Sequence, residues 1–318
     1  MRVLVCSPVA RESLQRQLRA LDVDVVWAEV GELPARAHDV DGIVLAGAYY
    51  SPALAQALAA DGNRCRWLQL LSAGYEQLLA HGVPAHVEVS NAGSVWSPIV
   101  AEHVMALLLA LARRIPQVLA AQARQQWDDS IRTDMGMLVG GRMVIVGMGS
   151  IGGELARRAR AFGMHVTGVS RSGRPHADAD RVVKVAQLHE ALHDADVVVV
   201  ALPLSAATQG LIDAAALAAC PPRAVIANVG RGPLIDQQAL VAALDAGRIA
   251  GAALDVTDPE PLTDGHPLWR HPRVIVSPHI GGAAPERYNE RLAALVVGNV
   301  RARLQGTPVS DRVDLASA

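Results

Sequence analysis

Aromatic residues, lysine and cysteine are scarce in this sequence, and no charge of one sign is in excess. The 318 residues include one Phe, four Tyr and five Trp, and Lys184 is the only lysine. The 29 basic and 31 acidic residues are spread along the chain and give a net charge of −2. Proteins that bind nucleic acid or an anionic membrane surface carry a positive patch. We therefore expect neither as a partner.

Cysteines and long apolar runs are also few. Cys6, Cys65 and Cys220 are odd in number and lack metal-ligand spacing, which is typical of reduced structural thiols. No apolar run approaches the ~20 residues that cross a bilayer. The apolar stretch in MRVLVCSPVARESL is too short for a signal-peptide core and charges follow it. We expect a soluble, cytoplasmic protein.

Short β-branched runs alternate with Ala/Leu-rich stretches in the first part of the chain. The runs are 2–6, 23–27, 41–46, 67–71 and 87–91, and the helical stretches include 11–21 and 52–60. Alternating strands and helices predict a parallel sheet that is covered by helices.

A second series of the same kind follows a strongly apolar helix predicted over 99–114. Its strand runs are 142–147, 164–169, 182–185, 196–202, 224–229, 251–256 and 274–277, and a last helix is predicted over about 285–304. Nearly continuous Val and Ile suit strands that are buried on both faces. We predict an α/β protein with two doubly wound parallel-sheet domains. Ligands bind such sheets beyond the carboxyl ends of the strands, so we expect the site in the cleft between the domains.

The sharpest local motif is Gly147-Met148-Gly149-Ser150-Ile151-Gly152, between the strand RMVIVG and the helix GELARRARAF. Gly147 permits a tight turn, Gly149 lets the backbone approach a pyrophosphate, and Gly152 lets helix and strand pack closely. The helix N-terminus then presents amide donors to the phosphates. A glycine-rich turn alone would be weak, but strand, turn and helix occur in the required order, which predicts a dinucleotide site.

The strand after this helix ends without the acidic residue that would hold the ribose 2′-hydroxyl of NAD. It ends in Ser170-Arg171-Ser172, with Arg174 nearby. The guanidinium of Arg171 can form a planar, charge-assisted pair with a 2′-phosphate. A solvated loop arginine is the alternative interpretation. We predict NADP(H) as the preferred cofactor, with NAD(H) possible.

Three motifs follow later strands of the same series, and each offers one chemically active side chain. The motifs are NVGRG with Arg231, DPEPL with Glu260, and SPHIGG with His279. Separately, these residues could be a surface arginine, a loop carboxylate and a structural histidine. Together they form a working set. A guanidinium binds a carboxylate and polarises a carbonyl, a histidine carries a proton near neutral pH, and a carboxylate orients the imidazole.

In combination these motifs resemble the D-isomer-specific 2-hydroxyacid dehydrogenase family, in particular its glyoxylate/hydroxypyruvate reductase-like members. The resemblance covers nearly the whole chain. It includes VAEHVMALLLALAR (100–113), VGMGSIGGELARRARAFGM (146–164), ALPLSAATQGLI (201–212), NVGRGPLID (228–236), ALDVTDPEPL (253–262) and SPHIGG (277–282).

The resemblance implies a flavodoxin-like substrate domain, 1–98 plus 285–318, and a Rossmann cofactor domain, 99–284. It implies Arg231, Glu260 and His279 as the catalytic set, with His279 as the proton donor in reduction. Backbone amides of Ala73 and Gly74, in the segment Ser72-Ala73-Gly74-Tyr75, would hold the substrate carboxylate. Members of the family are commonly homodimers.

Further cofactor contacts carry over from the family by match. They are Ser150 and Ile151 at the pyrophosphate, Leu202, Pro203 and Thr208 along the adenosine side, and Val229, Asp255 and Gly281 toward the nicotinamide. Leu202 and Val229 could equally belong to the core. His103, in the AEH segment, is expected to pack or form a structural hydrogen bond. We expect no metal ion as a cofactor.

Four of the ten aromatic residues lie in or near segments expected to bind the substrate. Candidate pocket residues are Tyr49, Tyr50, Tyr75 and Trp96, with packing at a domain interface as an equal alternative. Aromatic walls favour small or apolar 2-substituents, and no second arginine is evident for a dicarboxylate. NADP(H) pools usually favour reduction. We therefore expect reduction of glyoxylate, hydroxypyruvate or a similar small 2-oxo acid.

Two other functions stay open at this point. One is an enzyme of the same family that acts on a bulkier branched or aromatic 2-oxo acid, with phosphite or formate oxidation as more distant options. The other is a non-catalytic, nucleotide-responsive regulatory protein, because a fold alone does not establish chemistry. The complete set of Arg231, Glu260 and His279 favours an enzyme.

Overall fold

Two parallel sheets contain the twelve strands of the computed structural model, which describes residues 1–284 and 286–315. The chain divides into one unit of Met1–Trp96 with Ala284–Ala318 and another of Ser97–Ala283. The sequence predicts domain boundaries after residue 98 and after residue 284. The predicted second segment of the substrate domain is 285–318, and its positions 285 and 316–318 lie outside the described residues. The assignment of a substrate role and a cofactor role to the two units remains a prediction.

The first unit contains a five-stranded sheet. Its strands are β1 Arg2–Cys6, β2 Asp24–Trp27, β3 Gly42–Leu45, β4 Trp67–Leu70 and β5 Glu88–Ser90, and its first helices are α1 Arg11–Leu18, α2 Leu33–Arg36, α3 Pro52–Ala59 and α4 Glu76–His81. The strand order β2-β1-β3-β4-β5 is the flavodoxin-like order, as predicted.

The second unit contains a seven-stranded sheet. Its strands are β6 Arg142–Val146, β7 His165–Ser170, β8 Arg181–Lys184, β9 Val197–Val200, β10 Val225–Asn228, β11 Gly251–Leu254 and β12 Val274–Val276. Its helices are α5 Ser97–Ala112, α6 Ile115–Ala123, α7 Ser150–Ala161, α8 Leu188–Leu192, α9 Ala214–Ala219 and α10 Gln237–Asp245. In the order β12-β11-β10-β9-β6-β7-β8 the chain reverses direction across the sheet between β6 and β9, which is the doubly wound dinucleotide-binding topology.

The last helix, α11 Glu286–Gln305, returns to the first unit. Its buried Leu292, Val296 and Val300 pack in one cluster with Val3 and Val5 of β1. Short 3-10 helices occupy connecting segments at Val30–Glu32, Gly47–Tyr49, Asp129–Asp134, Val185–Gln187, Gly232–Leu234 and Pro267–Trp269.

Burial explains why the apolar runs became strands. All four residues of β3, β4, β9 and β11 are buried, because helices cover both faces of a parallel sheet. Helix starts follow the local chemistry. Asp213 and Asp236 cap α9 and α10 by accepting the backbone N–H groups of Ala216 and Ala239. Each of the twelve predicted runs overlaps a strand, so the predicted fold class is confirmed.

The apolar helix α5 is buried along one side, with eight buried residues that include Val104 and Leu108. Within residues 1–284 and 286–315, no single helix has both the length and the hydropathy to cross a membrane. Among these described helices, only α5 and α6 taken together have the length and hydropathy that a membrane span needs. Their axes are bent by 65° at the break between them.

Candidate active site

The glycine turn after β6 is shaped by very close backbone contacts. Gly147 has φ of +114°, and a Cβ there would lie 2.5 Å from the carbonyl oxygen of Ala201. A Cβ on Gly152 would lie 2.0 Å from the carbonyl oxygen of Gly147. Gly149 differs, because nothing lies within 4 Å of its Cβ position. Two glycines are therefore required by packing, whereas the third borders open space.

That open space lies at the start of α7. Ser150 is the first helical residue, and Gly149 in the cap position provides no side-chain hydrogen bond to the first turn. A helix start without a side-chain cap leaves its backbone N–H groups directed at an approaching anion, with the helix dipole in support. The residues present therefore fit the pyrophosphate of a dinucleotide.

The end of β7 forms a short polar turn. Ser170 Oγ accepts the N–H of Gly173 at 3.1 Å, and Ser172 Oγ accepts the N–H of Arg174 at 3.3 Å. Arg171 is exposed and, within the described part of the chain, forms no ion pair. These hydrogen bonds fix the backbone of the turn at the end of β7. The guanidinium of Arg171 stays accessible beside the glycine turn after β6.

The loop after β9 carries three of the predicted cofactor contacts. Thr208 Oγ1 donates to the carbonyl of Pro203 and accepts the N–H of Ser205, both at 2.8 Å. Leu202 Cδ2 would lie 3.1 Å from a Cβ on Gly147, so this loop packs against the glycine turn. Val229, after β10, is buried. The hydrogen bonds of Thr208 and the packing of Leu202 fix the loop after β9. Direct contact of the cofactor with Leu202, Pro203, Thr208, Val229 and Ile151 remains a prediction.

Glu260 and His279 meet although they belong to loops after different strands. Glu260 Oε1 lies 2.5 Å from His279 Nδ1, and both side chains are about half exposed, at 42% and 47%. A carboxylate in this position orients the ring and leaves Nε2 as the nitrogen for proton exchange. The arrangement is that of an oriented, solvent-accessible acid–base group.

Arg231 lies in a loop that the buried Asn228 holds. The Asn228 amide donates to the carbonyl of Arg231 at 2.9 Å and accepts the N–H of Gly230 at 3.0 Å. The Arg231 guanidinium donates to the carbonyl of Gly230 at 2.7 Å. A Cβ on Gly232 would lie 1.9 Å from the carbonyl oxygen of Thr257. The loop with Arg231 therefore presses against the segment that leads to Glu260.

Sequence reasoning missed the residue that fixes this segment. Gln237, in α10, donates to the carbonyl of Asp258 at 2.8 Å and accepts its N–H at 3.1 Å. Thr257 Oγ1 adds a hydrogen bond to the carbonyl of Pro259 at 2.9 Å. Asn228 was visible as a polar residue that ends a buried strand, whereas no local pattern marks Gln237 as a partner of a loop 21 residues away.

Asp255 holds the loop that carries His279. Its backbone carbonyl accepts the N–H of His279 at 2.9 Å, and its carboxylate accepts those of Ile280 at 3.0 Å and Gly281 at 2.8 Å. The hydroxyl of Ser277 donates to the same carboxylate at 2.5 Å. The nicotinamide contacts expected of Asp255 and Gly281 remain predictions. The contacts within the chain show that both residues also shape the loop.

His103 reaches this carboxylate from α5. Its Nε2 lies 3.0 Å from Ser277 Oγ and 3.2 Å from Asp255 Oδ1, which confirms the expected structural hydrogen bond. Burial raises the pKa of Asp255, but hydrogen bonds from His103, Ser277 and the amides of Gly281 and Ile280 outweigh it and bring that pKa to about 2. Asp255 is thus ionised at neutral pH and anchors the loop as a carboxylate.

In the first unit, the segment Ser72–Tyr75 is fixed through its carbonyl groups. Asn91 donates to the carbonyl of Ala73 at 2.8 Å, and Ser72 Oγ donates to that of Gly74 at 2.9 Å. Among the described residues, the N–H groups of Ala73 and Gly74 donate no hydrogen bond. Two neighbouring amide donors are therefore held in place without a partner of their own.

The four aromatic candidates differ in burial. Tyr50 is only 1% exposed and donates to the carbonyl of Gly82 at 2.7 Å, and burial raises its pKa to about 12. This corrects the expectation for Tyr50, which belongs to the core of its unit and not to a pocket wall. Tyr49 and Tyr75 are half-buried and pack beside the same core. The half-buried Trp96 donates to the carbonyl of Leu71 at 3.0 Å.

Comparison with known proteins gives consistent similarities. The NAD-binding domain of the D-isomer specific 2-hydroxyacid dehydrogenases matches residues 105–281. Glyoxylate/hydroxypyruvate reductase B of Klebsiella pneumoniae is 39% identical over 248 residues, which is 76% of either chain. A family protein of Aeromonas salmonicida has a similar structure, with TM-score 0.87, 30% identity and 99% coverage of both chains. A Xanthobacter autotrophicus relative in complex with NADPH and MES gives TM-score 0.84 and 29% identity, over 99% of this chain and 98% of that one.

Proposed function

The chain belongs to the D-isomer-specific 2-hydroxyacid dehydrogenase family, and from this membership we propose that it reduces glyoxylate, hydroxypyruvate or a similarly small 2-oxo acid with NADPH. As a member it is an NAD(P)-dependent oxidoreductase that transfers a hydride between the cofactor and a 2-oxo acid. The observation that carries the proposal is the contact between Glu260 Oε1 and His279 Nδ1 at 2.5 Å.

Proton transfer is assigned to His279. A nicotinamide cofactor, when bound, supplies the hydride for C2 of the substrate. His279 donates a proton from Nε2 to the carbonyl oxygen, because Nδ1 is engaged by Glu260. The Glu260 carboxylate holds the ring in this orientation through a hydrogen bond to Nδ1.

Substrate binding is assigned to two groups of donors. The guanidinium of Arg231 suits the substrate carboxylate and polarises the adjacent carbonyl. The amides of Ala73 and Gly74 are further carboxylate donors, because their carbonyls are tied down by Asn91 and Ser72. Tyr49, Tyr75 and Trp96 remain as candidate walls for the 2-substituent.

Cofactor binding is assigned to the glycine turn and to the end of β7. The open space at Gly149 and the uncapped start of α7 support a pyrophosphate there. The exposed Arg171, and the lack of a carboxylate in Ser170-Arg171-Ser172, support NADPH as the preferred form with NADH possible. The complex of the Xanthobacter relative with NADPH supports the same choice.

We also propose that the protein is a cytoplasmic homodimer. Cys6, Cys65 and Cys220 are all buried and free, which suits a reducing compartment. The surface between residues 115 and 139 exposes Leu119, Trp127 and Met137 by 57%, 94% and 72%. Apolar side chains at such exposure are typical of subunit interfaces. Light scattering on the purified protein tests the dimer, and a monomer at micromolar concentration would contradict it.

The experiment that tests the reaction follows the absorbance of NADPH and, separately, NADH with a panel of 2-oxo acids. We expect rapid oxidation of NADPH with glyoxylate or hydroxypyruvate, and a rate about 10²- to 10⁴-fold lower with the His279→Ala variant. Faster turnover of a branched or aromatic 2-oxo acid would move the substrate assignment to a bulkier acid. Absence of turnover with every acid and both cofactors would contradict the enzymatic function and favour a regulatory one.

A further inference from the structure

The loop that carries His279 is held in an uncommon backbone conformation. His279 has φ of +52°, in the left-handed region that side chains other than glycine seldom adopt. Such a conformation persists only where surrounding contacts enforce it. Here three successive N–H groups, those of His279, Ile280 and Gly281, all donate to one residue, Asp255. The placement of the His279 ring therefore depends on where Asp255 is held.

Asp255 is held in turn by His103. The Ser277 hydroxyl donates its only proton to Asp255 Oδ1, so its oxygen is an acceptor toward His103 Nε2. Asp255 Oδ1 is the second neighbour of the same nitrogen and also an acceptor. Nε2 of His103 must therefore carry a proton, which it shares between Ser277 and Asp255. One N–H group ties together the two side chains that hold the loop.

Close packing leaves this group little freedom. A Cβ on Gly281 would lie 2.7 Å from Asp255 Oδ2 and 3.3 Å from His103 Cδ2. The side chain of Asp255 is 4% exposed and that of His103 19% exposed. His103 enters from α5, which packs against β10, β11 and β12, the three strands that precede the loops with Arg231, Glu260 and His279. It thus connects the buried helix with the loop that carries the proton donor.

We propose that His103 is a positioning residue for the hydride-transfer reaction. It acts through Asp255 and Ser277 on the loop 277–281, so that His279 meets Glu260 and presents Nε2 to the substrate carbonyl. This inference rests on the proposed function of His279 as proton donor. His103 itself takes no part in proton transfer, and its contribution lies in the N–H that it directs at two acceptors.

A pair of substitutions separates this role from simple packing. His103→Gln retains an N–H donor at nearly the position of Nε2, whereas His103→Leu fills similar space without a donor. Met105→Leu, at another buried position of α5, is the matched control for repacking of the helix. For each variant the readouts are the melting temperature, the Kd for NADPH by fluorescence, and kcat and KM with glyoxylate.

We expect His103→Leu to lower kcat about 10- to 100-fold, because a misplaced reacting group costs roughly this much. KM for glyoxylate and Kd for NADPH should stay within about threefold, because neither ligand is assigned to His103. His103→Gln should recover most of kcat, and Met105→Leu should retain it. An unchanged kcat in His103→Leu, or equal losses in the Leu and Gln variants, would overturn the inference.

A second readout does not depend on turnover. In protein with ¹⁵N-labelled histidine, the ring signals of His279 are identified by their absence in His279→Ala. We expect these signals to shift in His103→Leu and to return toward the wild-type position in His103→Gln. Identical His279 signals in all three proteins would contradict the positioning role. If the wild-type protein reduces no 2-oxo acid, the proposed function fails by itself, while the ring signals still report on the link from His103 to His279.

Discussion

Glu260 and His279 are separated by 19 residues in the chain, and Oε1 of the first lies 2.5 Å from Nδ1 of the second. The two side chains come from loops after β11 and β12, which are neighbours in the sheet. The contact engages Nδ1 and leaves Nε2 as the nitrogen to which we assign proton donation. Its consequence for activity can be tested at each partner.

Replacement of His279 by alanine should lower kcat by about 10²- to 10⁴-fold, the usual cost of a lost acid–base group. Glu260→Gln keeps an oxygen beside Nδ1 but removes the charge, so a smaller loss of roughly tenfold is expected. Steady-state kinetics with NADPH and glyoxylate measure both variants. Cofactor affinity should stay near the wild-type value, and full activity of His279→Ala would refute the assignment.

Because of Asp255, the free energy of unfolding should depend on pH in the acid range. Its pKa of about 2 in the folded state lies below the ordinary value of 3.8, so the unfolded chain binds the proton more tightly. The stabilisation is complete above about pH 4, is lost as the pH falls through about 2, and amounts to about 2 kcal/mol.

Urea unfolding of wild type and Asp255→Asn across this range tests the linkage. The difference in free energy of unfolding between the two proteins should be constant near neutral pH and should shrink as the pH falls from about 4 to about 2. A difference that is independent of pH down to the acid limit would show that Asp255 titrates normally in the folded protein.

The glycines of the dinucleotide turn should respond differently to the same added methyl group. Gly152→Ala places a Cβ 2.0 Å from the Gly147 carbonyl, so we expect a loss of about 1–3 kcal/mol of stability or failure to fold. Gly149→Ala meets no atom within 4 Å and should keep the wild-type melting temperature.

The same Gly149→Ala variant should bind NADPH at least tenfold more weakly, because its methyl group occupies the space assigned to the pyrophosphate. Thermal melting and fluorescence titration with NADPH separate the two effects. Unchanged NADPH binding by a folded Gly149→Ala protein would place the pyrophosphate elsewhere.

Arg171 should determine the choice between the two nicotinamide cofactors. Arg171→Ala removes the guanidinium assigned to the 2′-phosphate, so KM for NADPH should rise about tenfold while KM for NADH is unchanged. Arg181→Ala is the matched control, because this exposed arginine of β8 donates to Thr167 Oγ1 at 3.2 Å. Equal effects of the two substitutions would identify Arg171 as an ordinary surface residue.

Tyr50 should affect stability and not substrate binding. Tyr50→Phe removes the hydrogen bond from the buried hydroxyl to the carbonyl of the exposed Gly82, which should cost about 1 kcal/mol. KM for glyoxylate should remain at the wild-type value. Tyr49→Phe, at a half-buried position nearby, is the comparison. A changed KM with unchanged melting temperature in Tyr50→Phe would restore it as a pocket residue.

Some features of the fold and of the candidate site could be predicted from local sequence patterns. Strands such as β9, with four consecutive valines, were predictable because a parallel sheet that is covered on both faces requires continuous apolar runs. Gly147 and Gly152 were predictable because a tight strand–turn–helix connection admits no side chain at either position. Both features leave a signal within a short stretch of sequence, although Gly147 also packs against the carbonyl of the distant Ala201.

Contacts between distant segments of the chain could not be predicted from local sequence patterns. The pairing of Gln237 with the backbone of Asp258 follows from how α10 packs beside the loop after β11, which no local pattern contains. Tyr50 was a candidate wall because it follows a strand, and only the packed core shows that its hydroxyl is satisfied by Gly82. His103 was expected to form a structural bond, but its acceptors, Ser277 and Asp255, became evident only in the fold.

The order of the seven-stranded sheet separates two sets of loops. Arg231, Glu260 and His279 follow the adjacent strands β10, β11 and β12, whereas the glycine turn and Arg171 follow β6 and β7 beyond the reversal point. Under the proposed assignment, the contact with the 2′-phosphate can change without a change in the loops that carry Arg231, Glu260 and His279. A lineage with this assignment can exchange one reducing-equivalent pool of the cell for another through a few changes at the tip of β7, while the loops assigned to proton transfer and substrate binding are inherited intact.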